Sequence, residues 1–320
     1  MDVLESPPEA RPAVVTGGPR RRRRGSGRLT PYLLSLPTLV VLAGLLAFPL
    51  VRMTMLSFQR LTLRDLFTGA APQWAGFANY TTVLSDGFFW TVVLRTIVVA
   101  AICVAVSVLA GLLIALLMHR VSGWVRLAMM VAMMLVWALP QLVATQVFTW
   151  LVDTDWGVLN WMLDKLPGVD FSNHSWFVDP VQGWGVIIAL VVWGAVPFLA
   201  ISLYAGLSQV PKELVEAATV DGAGAWQTLR RIKLPILSPL IVVVTTLSVI
   251  WDMGLFTQVY IARASKPELD YYSLAVYAYQ EAFARSNYSG GSAIAILTVL
   301  LVLGVMAFYV RQMFRIGEAD

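Results

Sequence analysis

Long apolar runs separated by short polar segments dominate this 320-residue chain. Six windows contain no Asp, Glu, Lys or Arg: Leu29–Val51, Thr96–Met118, Leu127–Val152, Pro180–Pro211, Leu234–Trp251 and Ser286–Val310. Each is about 18 residues or longer, enough for a helix to cross a hydrocarbon layer about 30 Å thick. Inside lipid the backbone polar groups must pair within the segment, so these runs are expected to be helices. The strict alternation of a membrane β-barrel is missing. The pattern predicts an all-α polytopic membrane protein with six spans, at roughly 31–56, 90–118, 127–151, 183–208, 236–256 and 290–313.

Composition agrees. Hydrophobic residues make up 58% of the chain and charged residues 13%, against about 25% charged in a soluble domain. The net charge of +4 has a topological reading and is no sign of nucleic-acid binding. With the N-terminus inside, 15 Lys and Arg fall in cytoplasmic segments, including Arg20 to Arg24, Arg126, Arg230, Arg231 and Lys233; six fall outside. The positive-inside rule therefore puts both termini and the 209–235 loop in the cytoplasm. Acids lean outward, with Asp153, Asp155, Asp164, Asp170 and Asp179 in one external loop. Trp74, Trp90, Trp150, Trp156 and Trp184 flank the outer span ends, as an interfacial belt does.

Residues 1–28 are rich in Pro, Gly and Arg, so they read as a disordered basic leader set against anionic lipid headgroups. The first apolar run is long and lacks a small-residue cleavage site, which favours an uncleaved span over a signal peptide. Residues 29–316 then form one six-helix domain and 317–320 a short tail. Cys103 is the single cysteine, so an internal disulfide is impossible; it reads as a small buried apolar residue.

The loop at 209–235 is the one sizeable polar segment on the inner side. Pro211 suits the first turn of a helix, and Glu213 and Glu216 suit its N-terminal end. Leu214, Val215 and Ala218 form a small apolar face. Asp221-Gly222 and Gly224 break the pattern, since glycine accepts left-handed backbone. A second short helix follows, with Trp226, Leu229 and Ile232 at a spacing of three, closed by Pro235. The expected shape is helix, tight turn, helix along the membrane surface. An interfacial anchor would look similar.

Within this loop, Glu216-Ala217-Ala218, Gly222, Ile232 and Leu234-Pro235 stand at fixed spacing. The run resembles the EAA loop of bacterial ABC importer permeases. Further likeness lies in Phe48-Pro49-Leu50, Gly76-Phe77-Ala78-Asn79-Tyr80, Trp156-Gly157-Val158-Leu159-Asn160, Trp193 to Pro197 and Gly290-Gly291-Ser292-Ala293. Over roughly residues 30–315 the chain is similar to carbohydrate-type permeases of the maltose, trehalose and glycerol-phosphate kind, the first of the pair. Where that family often carries Thr-Gly-Gly-Pro, this chain has Ala262-Arg263-Ala264-Ser265-Lys266-Pro267.

The resemblance implies a type I ABC importer permease in a bacterial plasma membrane. Its partners would be a second permease, a dimer of ATP-binding subunits and an extracytoplasmic sugar-binding protein. Glu216, Ala217, Ala218, Asp221, Gly222, Ala223, Gly224, Trp226, Leu234 and Pro235 would dock the ATPase. The chain has no G-x-x-x-x-G-K-[ST] loop, so ATP and Mg²⁺ would sit on the partner and this chain would bind no cofactor.

The resemblance also implies sugar contacts from Trp193, Gly194 and Phe198 and from the fifth-span positions Ser248, Trp251, Asp252 and Leu255. Rings suit the C–H faces of a sugar and a carboxylate takes its hydroxyls. Asp252, an ionisable group at membrane depth, is the sharpest functional candidate. Pro140 and Pro197 fall mid-span, where a freed carbonyl needs protein or a water-filled cavity. Trp193 and Phe198 fit plain packing as well, and Gly111 and Gly194 fit close helix approach. His119 and His174 are the only histidines and no H-E-x-x-H or Gly-x-Ser-x-Gly occurs, which argues against a membrane enzyme. An ion-coupled carrier is the remaining alternative, with Asp252 its one supporting residue.

Overall fold

The computed structural model describes residues 30–61, 63–168 and 170–317, with side chains from Tyr32 to Arg311. The predicted leader at 1–28 and residues 318–320 of the predicted tail lie outside the described residues. Gly317, expected to begin that tail, ends the last helix. Contacts divide the chain into two units, residues 1–52 and 53–320.

The first unit is helical from Thr30 to Leu42, passes through a π-turn at Ala43–Ala47, and enters the helix Phe48–Ser57. The π-turn has a sequence cause. Pro49 lacks an N–H and its ring crowds the carbonyl four residues back. The preceding turn widens, and the Phe48 N–H bonds to the Ala43 carbonyl five residues back.

In the second unit a two-residue antiparallel ribbon, Gln59–Arg60 with Gln73–Trp74, and the helix Ala78–Ser85 precede the long helices. Among the described residues, four single helices beyond the first are long and apolar enough to cross a membrane: Gly87–Met118, Pro180–Leu207, Ala225–Met253 and Tyr288–Arg311. A fifth segment, Gly123–Ala138 with Gln141–Leu151, is apolar enough only as a pair and is bent by 98°. With Tyr32–Ser57 these are the six expected apolar segments.

Two of the long helices are capped at their starts. Asp86 accepts from the Phe88 N–H at 2.9 Å and Asp179 from the Val181 N–H at 2.8 Å. Each satisfies a donor that the first turn leaves unpaired.

The prolines behave differently from one another. Pro197 sits buried inside an unbroken Pro180–Leu207 helix. Pro140, expected within a continuous third span, instead follows an extended Leu139 (φ −69°, ψ 131°) and caps the next helix. The residue before a proline is pushed out of the α region, and here nothing restores it.

The Gly87–Met118 and Pro180–Leu207 helices form the centre of the packing. Val92, Ile187, Leu199 and Leu203 have no exposed surface. Lipid tails are as apolar as these side chains, so close packing rather than water exclusion holds the pair. Gly111 makes the closest approach: a Cβ there would lie 2.7 Å from Leu199 Cβ and 3.2 Å from the Ala200 backbone nitrogen. Gly111→Val is therefore expected to destabilise the chain by about 1–3 kcal/mol, read as a lower thermal midpoint of the detergent-solubilised protein. An unaltered midpoint would show that this crossing is not close-packed.

The segment after the Ala225–Met253 helix is pinned on several sides. Arg95 Nη1 donates to the Leu269 carbonyl at 2.8 Å, and Trp184 Nε1 donates to the Asp270 carbonyl at 3.0 Å. The Leu274 N–H donates to Thr96 Oγ1 at 3.0 Å. Tyr271 hydroxyl donates to the Phe177 carbonyl at 2.9 Å, its ring resting on Gly183, where any side chain would collide with it.

Candidate functional site

A cavity of about 500 Å³ lies between the broken third segment, the Pro180–Leu207 helix, the end of the Ala225–Met253 helix and the short helix Thr257–Ala262. It gathers Trp193, Gly194, Trp251, Asp252 and Leu255 from the expected path residues. Trp193 packs on Phe148 at 5.4 Å and still faces the cavity. Gly194 leaves open space, with no atom within 4 Å of where a Cβ would stand, so it keeps the cavity wall low. Close approach is the role of Gly111 instead.

Phe198 is not in the lining. It supports Trp251 edge-on at 5.4 Å and stacks on Trp137 at 6.4 Å. Ser248 lies one turn before Asp252 on the same helix face and is buried, its hydroxyl without a partner. Asp252 is 4% exposed, and its Oδ2 has no hydrogen-bond partner among the described residues. An unpaired buried carboxylate oxygen is costly and marks a position kept for something other than stability.

The lining adds Trp137, Gln141, Phe256, Thr257 and Gln258, which sequence reasoning missed. A signal existed: Gln141 directly follows the mid-span Pro140, and Gln258 follows Asp252 by six positions in apolar surroundings. The 98° break at Leu139-Pro140 brings Gln141 to the cavity wall. The result is a pocket of flat rings with a few convergent polar groups, the usual composition of a small-molecule site.

Beyond the cavity, the loop that replaces the expected Thr-Gly-Gly-Pro is a closed clamp. Ala264 and Ser265 both have positive φ, 50° and 62°, which costs non-glycine residues energy. Arg263 holds the turn: its Nε and Nη2 donate to Glu268 Oε2 and Oε1 at 2.8 and 2.5 Å. The guanidinium also sits 5.0 Å from the Phe177 ring and 4.7 Å from the Tyr271 ring.

The Arg263 hydrogen bonds hold the Glu268 carboxyl below the ordinary glutamate value. A depressed folded value adds stability that is complete above the unfolded value and is lost as pH falls through the folded one. The protection factor for amide exchange at 262–268, taken relative to the intrinsic rate at each pH, is therefore expected to fall only as pH drops below about 4.3. In Arg263→Met it is expected to be low already at neutral pH; equal protection in that variant would remove the clamp.

On the opposite side is the hairpin. Its first helix is Lys212–Val220, capped by Pro211. The turn after it has the bonds of a Schellman motif: Ala223 N–H to the Ala218 carbonyl at 2.8 Å and Gly222 N–H to the Thr219 carbonyl at 3.1 Å. Gly222 takes the left-handed position, φ 79°. Gly224, expected to share that role, has φ −70° and caps the next helix, its N–H donating to Gln227 Oε1 at 3.1 Å.

The second half departs further from expectation. Ala225–Thr228 runs through a π-turn at Leu229–Lys233 straight into Leu234–Met253. Pro235 does not close a helix. As with Pro49, the preceding residue bonds five back, Leu234 N–H to the Leu229 carbonyl. The result is one 29-residue rod, Ala225–Met253. Only the Lys212–Val220 helix stands apart.

Val215 packs on the buried cluster that includes Leu207, Val210 and Leu237, whereas Leu214, expected beside it, is 47% exposed. Val220 and Trp226 are 88% and 68% exposed, and Glu216, Ala217, Asp221 and Gly222 are exposed with them.

Arg126, predicted only as a positive-inside charge, has specific partners. It donates to the Met118 carbonyl at 2.9 Å and the Tyr204 hydroxyl at 3.0 Å. The His119 ring lies 4.8 Å from Tyr204. Burial, then Lys233 and Arg126, hold its pKa below the ordinary histidine value.

Helices of this order, with a cavity between them and a polar hairpin at one end, are shared with the permeases of ABC importers. A chain of the bacterial ABC transporter that imports the acidic polysaccharide alginate has the same fold, with TM-score 0.74 and 21% identity over 89% of this chain and 95% of that one. The MetNI methionine ABC transporter matches more loosely, with TM-score 0.53 and 16% identity over 72% and 96%.

The chain belongs to the family of binding-protein-dependent transport system inner membrane components, whose model matches residues 107–317. It is 41% identical to the diacetylchitobiose uptake system permease DasB of Streptomyces coelicolor over 95% of this chain and 93% of that one. It is 31% identical to the sulfoquinovosyl glycerol transport permease SmoG of Agrobacterium fabrum over 89% and 90%. The trehalose/maltose transport permease MalF of Thermococcus litoralis is 29% identical over 88% and 92%.

Proposed function

We propose that this chain is one half of the membrane path of an ATP-driven sugar importer, and that diacetylchitobiose or a similar disaccharide is its substrate. The cavity carries this reading: Trp193 and Trp251 offer ring faces to a sugar, while Asp252, Gln141 and Gln258 accept and donate hydrogen bonds to its hydroxyls. The relatives' sugar substrates support the same class.

A second permease supplies the other half of the path. A sugar-binding protein delivers substrate from outside, and both termini and the hairpin face the cytoplasm. An ATPase dimer, holding ATP and Mg²⁺, grips the exposed face around Glu216, Ala217, Val220, Gly222 and Trp226. ATP binding turns the path outward by gripping one conformation more tightly than the other.

Reconstitution of the full complex tests this. Uptake of diacetylchitobiose is expected to require ATP and the binding protein, and the sugar-loaded binding protein is expected to stimulate ATP hydrolysis. Solute movement by this chain alone on an ion gradient would overturn the reading. So would failure of cysteines at Val220 and Trp226 to crosslink to the ATPase.

A further inference from the structure

A second cavity, of about 420 Å³, lies beside the first, lined by Tyr260, Ser265, Lys266, Tyr279, Gln280 and Phe283 among others. Aromatic rings connect the two. Phe256 lines the central cavity and stacks on Tyr260 at 5.0 Å with a 16° angle between the planes. Tyr279 touches both, 5.1 Å from Phe256 and 5.2 Å from Tyr260. Phe283 continues the row 5.0 Å beyond Tyr279. Phe283 is 60% exposed and Tyr279 36%, so ring surface remains free.

The polar groups stand on the rim. Lys266, Ser265 and Gln280 line the same cavity. The Arg263–Glu268 clamp fixes the turn that carries Ser265 and Lys266. Next to Phe283, Glu281 pairs with Arg285 at 3.0 Å and accepts from Asn287 at 2.8 Å. Ion pairs on both flanks exclude a hydrocarbon setting. Rings that stack on one another in a cleft differ from the single outward-pointing rings of an interfacial belt.

We propose that this row is an outer subsite for a further pyranose unit of the transported sugar, and that the rings hand successive units from the outer cavity to the central one. A pyranose has apolar C–H faces and a hydroxyl edge, and this cavity offers ring faces with a polar rim. The neighbouring rings are spaced by about the length of one sugar ring, so a chain can bridge adjacent positions. The proposal rests on the sugar-import reading and extends it to substrate length: the path accommodates a trisaccharide as well as a disaccharide.

The test uses the whole complex, with N-acetylglucosamine, its β-1,4 dimer and its β-1,4 trimer as substrates. Phe283→Ala and Tyr279→Ala are expected to raise KM for the trimer roughly three- to ten-fold relative to that for the dimer, the size of one lost stacking contact. Phe283→Trp is expected to restore the ratio. Equal loss for dimer and trimer would make the row a structural support and overturn the proposal. So would a KM ratio unchanged by either alanine variant. If the unaltered complex moves none of the three sugars, the import reading falls first. If it moves them and only the ratio test fails, the outer subsite alone falls.

Discussion

Gly222→Val is expected to reduce ATP-coupled uptake at least about ten-fold while the chain still inserts in the membrane. The site is sterically open, with no atom within 4 Å of a built Cβ, so the cost is not a clash. It is the backbone: at φ 79° an ordinary L-residue costs about 1–2 kcal/mol, and a β-branched one is worse. Because 1.4 kcal/mol is tenfold in population, the turn opens and the Lys212–Val220 helix loses its fixed angle. Asparagine tolerates left-handed backbone, so Gly222→Asn is expected to retain most uptake. Glu216→Lys gives an independent route: Glu216 is exposed, so reversing its charge leaves the hairpin intact and alters only what it meets. Normal uptake in both Gly222→Val and Glu216→Lys would remove the hairpin from coupling.

The second large effect is at Asp252. A hydrogen bond to a charged group is worth about 1.5–3 kcal/mol, so Asp252→Leu is expected to raise the KM for sugar uptake roughly 10- to 100-fold. The same substitution removes a buried carboxylate oxygen without a partner and is expected to raise the thermal midpoint of the sugar-free protein. Lower affinity with higher stability is the signature of a group held for its ligand. If KM and midpoint both stay as in the parent, Asp252 is not part of the path. If the midpoint falls, Asp252 supports the fold instead.

Helix existence was legible because charge-free runs report it directly. The true starts at Gly87 and Pro180 lie three residues ahead of the expected 90 and 183, because Asp86 and Asp179 cap them, which the apolar pattern does not register. The left-handed turn at Gly222 was legible because glycine accepts that backbone. What the prolines do was not. Pro49 and Pro235 widen a turn, Pro197 leaves its helix unbroken, and Pro140 breaks one. Those outcomes depend on what neighbouring helices supply to the freed backbone groups, which no single run of residues encodes. The cavity followed suit. Trp193, Trp251 and Asp252 were found through the resemblance to sugar permeases, and of the three only Asp252 also stood out by itself, as an ionisable group at membrane depth. Gln141 and Gln258 were missed because only the break at Pro140 and the turn after Met253 carry them to the same wall.

The unbroken rod from Ala225 to Met253 has a thermodynamic corollary. At 1.5 Å per residue its 29 residues extend about 40 Å, with Trp226 at one tip and Asp252 at the other. Under the proposed function this rod joins the sugar cavity to the face that the ATPase grips, and linkage between binding equilibria is symmetric. Whatever factor the proposed ATPase grip imposes on sugar affinity, sugar would impose on that grip in turn.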